Sequence, residues 1–168
     1  SAHLVVAKIS DQGVLEILES DKTRVRLGRA IDSKGNITPE GIERTTSAIS
    51  HMVEIANSYD AQISAVATHA TREAKNHRVL IDAVKKQTGI KIELIDGIEE
   101  ARLAFLGMRH GLALNQKTCL GIDIGGGSTE ISIGTDDNMS YMGSFKLGAI
   151  NLTDKYLTNN SGPSTINN

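Results

Sequence analysis

The stretch from Gly121 to Glu130, GIDIGGGSTE, combines glycines, a serine and two carboxylates within a few residues. Consecutive glycines let backbone N–H groups approach an anion closely, because no Cβ stands in the way and φ can become positive. The Ser128 hydroxyl can donate to a phosphate oxygen, and the carboxylates of Asp123 and Glu130 can hold Mg²⁺ directly or through water. The combination favours a phosphate-binding loop with a metal beside it over the alternative, a glycine-rich turn flanked by ordinary surface acids.

The residues on either side of the glycines indicate which kind of element carries this loop. After Gly125, Gly126 and Gly127, apolar side chains continue in TEISIG with a period of two, which is typical of a strand. A dinucleotide-binding or Walker-type loop would lead instead into a helix, with a period of about 3.6 residues. The pattern therefore predicts a β-hairpin made of a strand, the glycine loop and a second strand.

The other elements alternate between strands and helices along the chain. We predict strands over 3–9, 14–27, 63–68, 90–95, 118–124, 130–135 and 139–147, and helices over 39–59, 72–88, 97–112 and 150–157. Thr38 and Asp96 are typical N-caps, Pro39 is a typical first helical residue, and Gly89 is a typical helix end. This order predicts an α/β fold with mixed sheets flanked by helices, and a second sheet beginning near Thr118.

Composition excludes several classes of function. With 168 residues, 39% hydrophobic content and a net charge of −2, the chain can bury a core but has no bulk basic field for nucleic acid. Aromatic residues make up only 3%, which argues against base-stacking platforms. No apolar run is long enough to form a membrane-spanning segment. Cys119 is the single cysteine and predicts no disulfide framework, so the expected compartment is the cytoplasm.

Two more stretches place charged residues where a strand leads into a helix. In ATHATREAKN, Arg72 offers a planar guanidinium for phosphate oxygens, although an exposed arginine in a first helical turn explains it equally well. In DGIEEARL, the acids Glu99 and Glu100 occupy a first helical turn, where the helix dipole favours acids whatever the function. A third stretch, LGAINLT at 147–153, is a weaker candidate for another loop against the same site.

Taken together and in this order, ATHATREAKN, DGIEEARL, DIGGGSTE and LGAINLT resemble the exopolyphosphatase and guanosine pentaphosphate phosphohydrolase family, Ppx/GppA. The resemblance implies ribonuclease-H-like domains of the actin, Hsp70 and sugar-kinase superfamily, with the site in the cleft between two of them. We expect residues 1–116 to form the first domain without its first strand, 117–157 to open the second, and 158–168 to be a disordered tail or a cut edge. The chain is thus expected to be truncated at both ends.

The resemblance also implies a role for each residue of the site. Glu100 would be the catalytic general base, which deprotonates a water for attack on a terminal phosphoryl group. Asp123 and Glu130 would hold Mg²⁺ or another divalent cation, and Arg72 would clamp the phosphate chain from the first domain. The loop would cradle that chain through backbone N–H groups and a hydroxyl, supplied by Gly125, Gly126, Gly127 and Ser128.

The implied substrates are inorganic polyphosphate and guanosine pentaphosphate (pppGpp), and the sequence does not decide between them. The parent protein is expected to be a homodimer with no nucleic-acid partner. The resemblance implies activity for the parent protein. It does not imply activity for these 168 residues alone, because they lack the first phosphate loop of the family. Two alternatives stay open: a non-catalytic sensor that binds polyphosphate or an alarmone, and an ATP-binding relative of the sugar kinases.

Overall fold

A computed structural model of the chain describes residues 1–112 and 114–157. The chain packs as two compact units, the first from Ser1 to Leu94 and the second from Ile95 onward. Both units combine strands with helices, and parallel as well as antiparallel strand pairs occur, which confirms the predicted α/β class with sheets flanked by helices. None of the helices in the described residues is long and apolar enough to cross a membrane. The tail predicted at 158–168 lies outside the described residues.

Two pairs of strands form the sheets of the first unit. They are β1 (Ala2–Ile9), β2 (Leu15–Thr23), β3 (Ala65–Ala67) and β4 (Ile92–Leu94). β1 and β2 form an antiparallel hairpin, whereas β3 and β4 pair in parallel. β2 ends before the predicted residue 27, because the chain turns at Arg26, whose φ of 48° is left-handed, into a 3₁₀ turn at Leu27–Ala30.

Three helices complete the first unit: α1 (Pro39–Ser58), α2 (His69–Glu73) and α3 (His77–Thr88). α1 begins as predicted, with the Thr38 hydroxyl accepting a hydrogen bond from the Gly41 N–H at 3.2 Å. α3 ends as predicted at Gly89, which has a φ of 76°. α1 packs against α3 and β1. The core of the unit consists of Val25, Leu27, Ile37, Ala74, Leu80, Val84 and Ile92.

The prediction of one continuous helix over 72–88 is wrong, because α2 and α3 are separated at residues 74–76. The Asn76 side chain accepts a hydrogen bond from the Ile37 N–H at 2.7 Å and donates one to the Ile37 carbonyl at 2.9 Å. The Lys75 N–H donates to the Gly35 carbonyl at 2.9 Å. These bonds tie the break to a distant loop, and they place Arg72 in the last turn of a short helix.

In the second unit a helix packs on a three-stranded antiparallel sheet of order β5-β6-β7. The elements are α4 (Gly97–Gly111), β5 (Cys119–Ile124), β6 (Thr129–Gly134), β7 (Met139–Phe145) and α5 (Ala149–Tyr156). The hairpin predicted around the glycine loop is confirmed as β5 and β6. α4 packs closely on β5 at Gly121, where a Cβ would stand 2.9 Å from the Met108 sulfur and 3.2 Å from the Phe105 ring.

Helix α4 packs with the strands that follow it, mainly β6 and β7. For this reason the compact units divide after Leu94, well before residue 116. The boundary predicted after residue 116 refers to the domains of the family, and it stays a prediction.

The contacts of Gly41 generate a prediction that runs against helix propensity. A Cβ at this position of α1 would lie 2.6 Å from the Ala30 Cβ and 3.1 Å from the Ile37 Cγ2. Although alanine favours helix more than glycine does, we expect Gly41→Ala to lower the free energy of unfolding by about 1–3 kcal/mol, because α1 must move off the 3₁₀ turn. Urea unfolding of the purified protein measures this change.

Gly107 of α4 provides the matched control. A Cβ there meets no atom of the described residues within 4 Å. Gly107→Ala should therefore raise the free energy of unfolding by about 0.5–1 kcal/mol, through helix propensity alone. Equal effects of the two substitutions would contradict the close packing at Gly41.

Candidate active site

The two acids predicted as metal ligands lie directly opposite each other in the hairpin. Asp123 of β5 and Glu130 of β6 are register partners, so their side chains project from the same face of the sheet. The next pair on this face is Gly121 and Ser132, and the Ser132 hydroxyl donates to the Ala101 carbonyl of α4 at 3.0 Å. The acids therefore occupy the face on which α4 packs.

The Glu130 side chain is buried, with only 2% of its surface exposed, whereas Asp123 is exposed. One Glu130 carboxylate oxygen accepts a hydrogen bond from the hydroxyl of Ser144, its register partner on β7, at 2.7 Å. A buried carboxylate beside a second acid is costly unless a cation or further donors compensate it. The arrangement therefore fits a cation that prefers oxygen ligands.

Asp123 and Glu130 supply two carboxylates, which is a number typical of Mg²⁺ sites. Two carboxylates are too few to fill the coordination shell of a metal with protein ligands alone. The described residues contain no group of three or more His, Cys, Asp or Glu that could hold a metal ion. Mg²⁺ is usually held by one or two carboxylates and completes its octahedral shell with water and phosphate oxygens. Asp123 and Glu130 match this pattern of one or two protein carboxylates.

The glycine loop, Gly125–Ser128, joins the two strands as a tight turn. The Gly125 N–H donates to the Ser128 carbonyl at 2.9 Å, and only 2% of Ser128 is exposed. Neither Gly125 nor Gly126 adopts the positive φ that the sequence suggested, while the close approach of their N–H groups to an anion stays a prediction. A Cβ would be close to neighbouring atoms at both positions, 3.1 Å from the Ser128 carbonyl oxygen at Gly125 and 3.0 Å from the Ile150 Cδ1 at Gly126.

The start of α5 packs directly on this loop. The N–H groups of Ala149 and Ile150 donate to the carbonyls of Gly125 and Gly126, each at 2.9 Å. The side-chain amide of Asn151 donates to the Gly127 carbonyl at 2.9 Å. The stretch LGAINLT, which the sequence indicated only weakly as a loop against the site, therefore contacts the glycine loop. The sequence analysis missed the hydrogen bond from the Asn151 side chain. Its only signal was an asparagine in the first turn of a helix after a glycine.

Glu100 lies in the first turn of α4, beside an acid that is already paired. The Asp96 carboxylate caps the helix by accepting from the Glu99 N–H at 2.8 Å. Both Glu99 carboxylate oxygens accept hydrogen bonds from Arg102 at 2.7 Å, and these bonds hold the pKa of Glu99 below its usual value. Half-buried Glu100 directly precedes Ala101, whose carbonyl binds Ser132.

The structure brings most of the predicted site residues into the second unit. These are the general base, the acid pair and the loop residues, namely Glu100, Asp123, Gly125, Gly126, Gly127, Ser128 and Glu130. Arg72 belongs to the first unit, where it is half-buried in α2 and its N–H donates to the Thr68 carbonyl at 2.9 Å. The role of Arg72 as a clamp stays a prediction.

Comparisons with known proteins agree with the motifs. Residues 5–167 match the Ppx/GppA phosphatase family. Exopolyphosphatase 1 of Mycobacterium tuberculosis is 36% identical over 158 residues, which is 94% of this chain and 46% of that protein. Guanosine-5'-triphosphate,3'-diphosphate pyrophosphatase of Photobacterium profundum is 30% identical over 145 residues, which is 86% of this chain and 29% of that protein.

A crystal structure of an exopolyphosphatase from Cytophaga hutchinsonii is similar in fold, with a TM-score of 0.85 at 32% identity. The similarity covers 92% of this chain and 50% of that one. The chain spans about half the length of the mycobacterial relative as well. The family match and the agreement of sequence and structure with these relatives confirm the resemblance, and the chain belongs to the Ppx/GppA phosphatase family.

Proposed function

We propose that the whole protein hydrolyses terminal phosphoanhydride bonds of inorganic polyphosphate, of pppGpp or of both, and releases orthophosphate. The observation that carries this proposal is the acid pair Asp123 and Glu130, set in register at the two shoulders of a glycine loop. Membership of the Ppx/GppA family supports the reaction class, since relatives are named exopolyphosphatase and guanosine-5'-triphosphate,3'-diphosphate pyrophosphatase.

In this mechanism Glu100 acts as the general base. It takes a proton from a water molecule while the water oxygen forms a bond to the terminal phosphorus. The bond from that phosphorus to the bridging oxygen breaks, and the shortened chain leaves with the bonding electrons. Such a transition state needs little covalent help, so positioning and charge neutralisation supply most of the rate gain. Glu99 is assigned no catalytic role, and its carboxylate accepts two hydrogen bonds from Arg102.

The other residues bind and orient the phosphate chain. Asp123 and Glu130 hold the divalent cation, Mg²⁺ in this proposal, which offsets charge on the phosphate oxygens when bound. Ser144 fixes the Glu130 carboxylate through its hydrogen bond. The amides of Gly126, Gly127 and Ser128 and the Ser128 hydroxyl cradle the chain, whereas the Gly125 amide, expected to join them, closes the turn instead. Arg72 clamps the chain with two parallel N–H donors.

The first prediction from the proposed function concerns the activity itself. We expect the full-length protein with Mg²⁺ to release orthophosphate from long-chain polyphosphate, from pppGpp or from both, measured side by side. Removal of Mg²⁺ by a chelator should stop the release, and its return should restore it. Tight polyphosphate binding with no release from either substrate would identify a non-catalytic sensor instead.

The second prediction concerns the base. Glu100→Gln should lower kcat by about 100-fold or more and leave substrate binding nearly unchanged, because the amide keeps the shape of the side chain but accepts no proton. Steady-state phosphate release measures kcat, and calorimetry measures binding.

The neighbouring acid gives a matched control for this substitution. Glu99→Gln removes a carboxylate from the same helical turn, where its partner is Arg102. It should change kcat much less than Glu100→Gln does. If the Glu100→Gln protein retains the kcat of the wild-type protein, Glu100 is not the general base.

The third prediction concerns the metal ligands. Asp123→Asn should raise the Mg²⁺ concentration needed for half-maximal rate by about tenfold or more, because one of two anionic ligands is lost. Asp137→Asn is the control, since Asp137 is exposed in the turn between β6 and β7. An unchanged Mg²⁺ requirement in the Asp123→Asn protein would exclude Asp123 as a ligand.

A further inference from the structure

We infer that the first turn of α5 orients the glycine loop for phosphate, and that Asn151 is a positioning residue of the site. The inference rests on the proposed function and adds to it a positioning role for the first turn of α5. It follows from the direction of three consecutive peptide groups, those between Gly125 and Ser128.

All three of these peptide groups direct their carbonyls toward α5. The Gly125 and Gly126 carbonyls accept hydrogen bonds from the Ala149 and Ile150 N–H groups at 2.9 Å. The Gly127 carbonyl accepts from the side chain of Asn151 at 2.9 Å. The N-cap residue of α5 is Gly148, which has no side chain to cap the helix, so the loop carbonyls satisfy N–H groups that a helix start leaves unpaired.

The opposite ends of the same peptide groups supply the donors for phosphate. In a planar trans peptide the carbonyl of one residue and the N–H of the next point in opposite directions. The N–H groups of Gly126, Gly127 and Ser128 therefore point away from α5. In residues 1–112 and 114–157, no protein acceptor takes a hydrogen bond from these three amides. The Gly125 amide differs, because it closes the turn by donating to the Ser128 carbonyl.

Hydrogen bonding at the carbonyl ends also strengthens the donors. A peptide group whose carbonyl accepts a hydrogen bond is polarised, and its own N–H becomes a better donor, by roughly 10–30% per bond. α5 thus acts on phosphate through the loop rather than by direct contact. Successive oriented N–H groups of this kind form the concave anion sites found in phosphate-binding loops.

Gly148 is the residue that lets α5 approach so closely. A Cβ at this position would lie 2.3 Å from the Gly126 carbonyl carbon and oxygen and from the Gly127 carbonyl carbon. These are backbone atoms, which cannot rotate aside, so any side chain at Gly148 must push α5 off the loop. Asn151 then completes the contact, because the third carbonyl is bound by its side chain rather than by the helix backbone.

The test uses the full-length protein carrying Glu100→Gln, so that the probe, tripolyphosphate with Mg²⁺, is not consumed. In this background Asn151→Ala should raise the dissociation constant for tripolyphosphate roughly threefold to tenfold, the effect of one hydrogen bond. Asn57→Ala is the matched control, since Asn57 is an exposed helical asparagine in α1. It should leave the dissociation constant unchanged.

A second readout separates orientation of the loop from stability of the helix. The starting protein is the full-length Glu100→Gln protein, labelled with ¹⁵N at glycine and serine. In this protein tripolyphosphate should shift the amide proton resonances of Gly126, Gly127 and Ser128 downfield. Asn151→Ala should abolish the shift at Ser128 and retain it at Gly126 and Gly127, whose peptide groups α5 holds through its own backbone. Gly148→Ala should abolish all three shifts where the variant folds.

The outcomes distinguish this inference from the proposed function. If Asn151→Ala binds tripolyphosphate as tightly as Asn57→Ala and retains the Ser128 shift, the inference is overturned, while phosphate release by the wild-type protein still supports the function. If the starting protein binds no tripolyphosphate and the wild-type protein releases no phosphate, both fail. A weaker affinity together with the loss of the Ser128 shift alone supports Asn151 as a positioning residue.

Discussion

The antiparallel register between β5 and β6 is the constraint on which the candidate site depends. Because side chains alternate along a strand, the pairing of Asp123 with Glu130 also fixes which residues face α4. A slip of one residue would exchange the acid pair for the apolar neighbours on the other face. The loop between the strands is short and closed by a backbone hydrogen bond, so it transmits this register directly to the glycines. Ser132 and Ser144, on the same face, connect the register to α4 and to Glu130.

Glycines allow two helices of this unit to pack closely on the hairpin of β5 and β6. Gly121 admits α4, and Gly148 admits α5, each at a distance that a Cβ would prevent. The two contacts serve different ends. At Gly121 the neighbours are the side chains of Phe105 and Met108, so burial of apolar surface stabilises the contact. At Gly148 the neighbours are peptide groups, so the contact consists of hydrogen bonds with a defined direction.

Local signals allowed much of this architecture to be predicted from the sequence. Alternation after the glycines predicted the hairpin, and the caps at Thr38 and Asp96 predicted the starts of α1 and α4, since such signals act within a few residues. The break between α2 and α3 was not predictable, because Asn76 bonds to Ile37, a partner 39 residues away. The partners of Glu130 and Ala101 were missed for the same reason. The close packing at Gly125 and Gly126 was also not predictable, since the strand pattern does not show which atoms pack against the loop.

The dependence of the loop on α5 bears on the order in which the site forms during synthesis. Chains emerge from the ribosome with the N-terminal part first, and hairpins of neighbouring strands close quickly once both strands are available. A nascent chain that has reached the end of β7 can already set Asp123 opposite Glu130. Its loop carbonyls nevertheless lack their partners until residues 149–151 have followed and folded into the first turn of α5. The acid pair is therefore in place before the loop is held by α5, so the growing chain acquires the proposed metal ligands earlier than the proposed phosphate cradle.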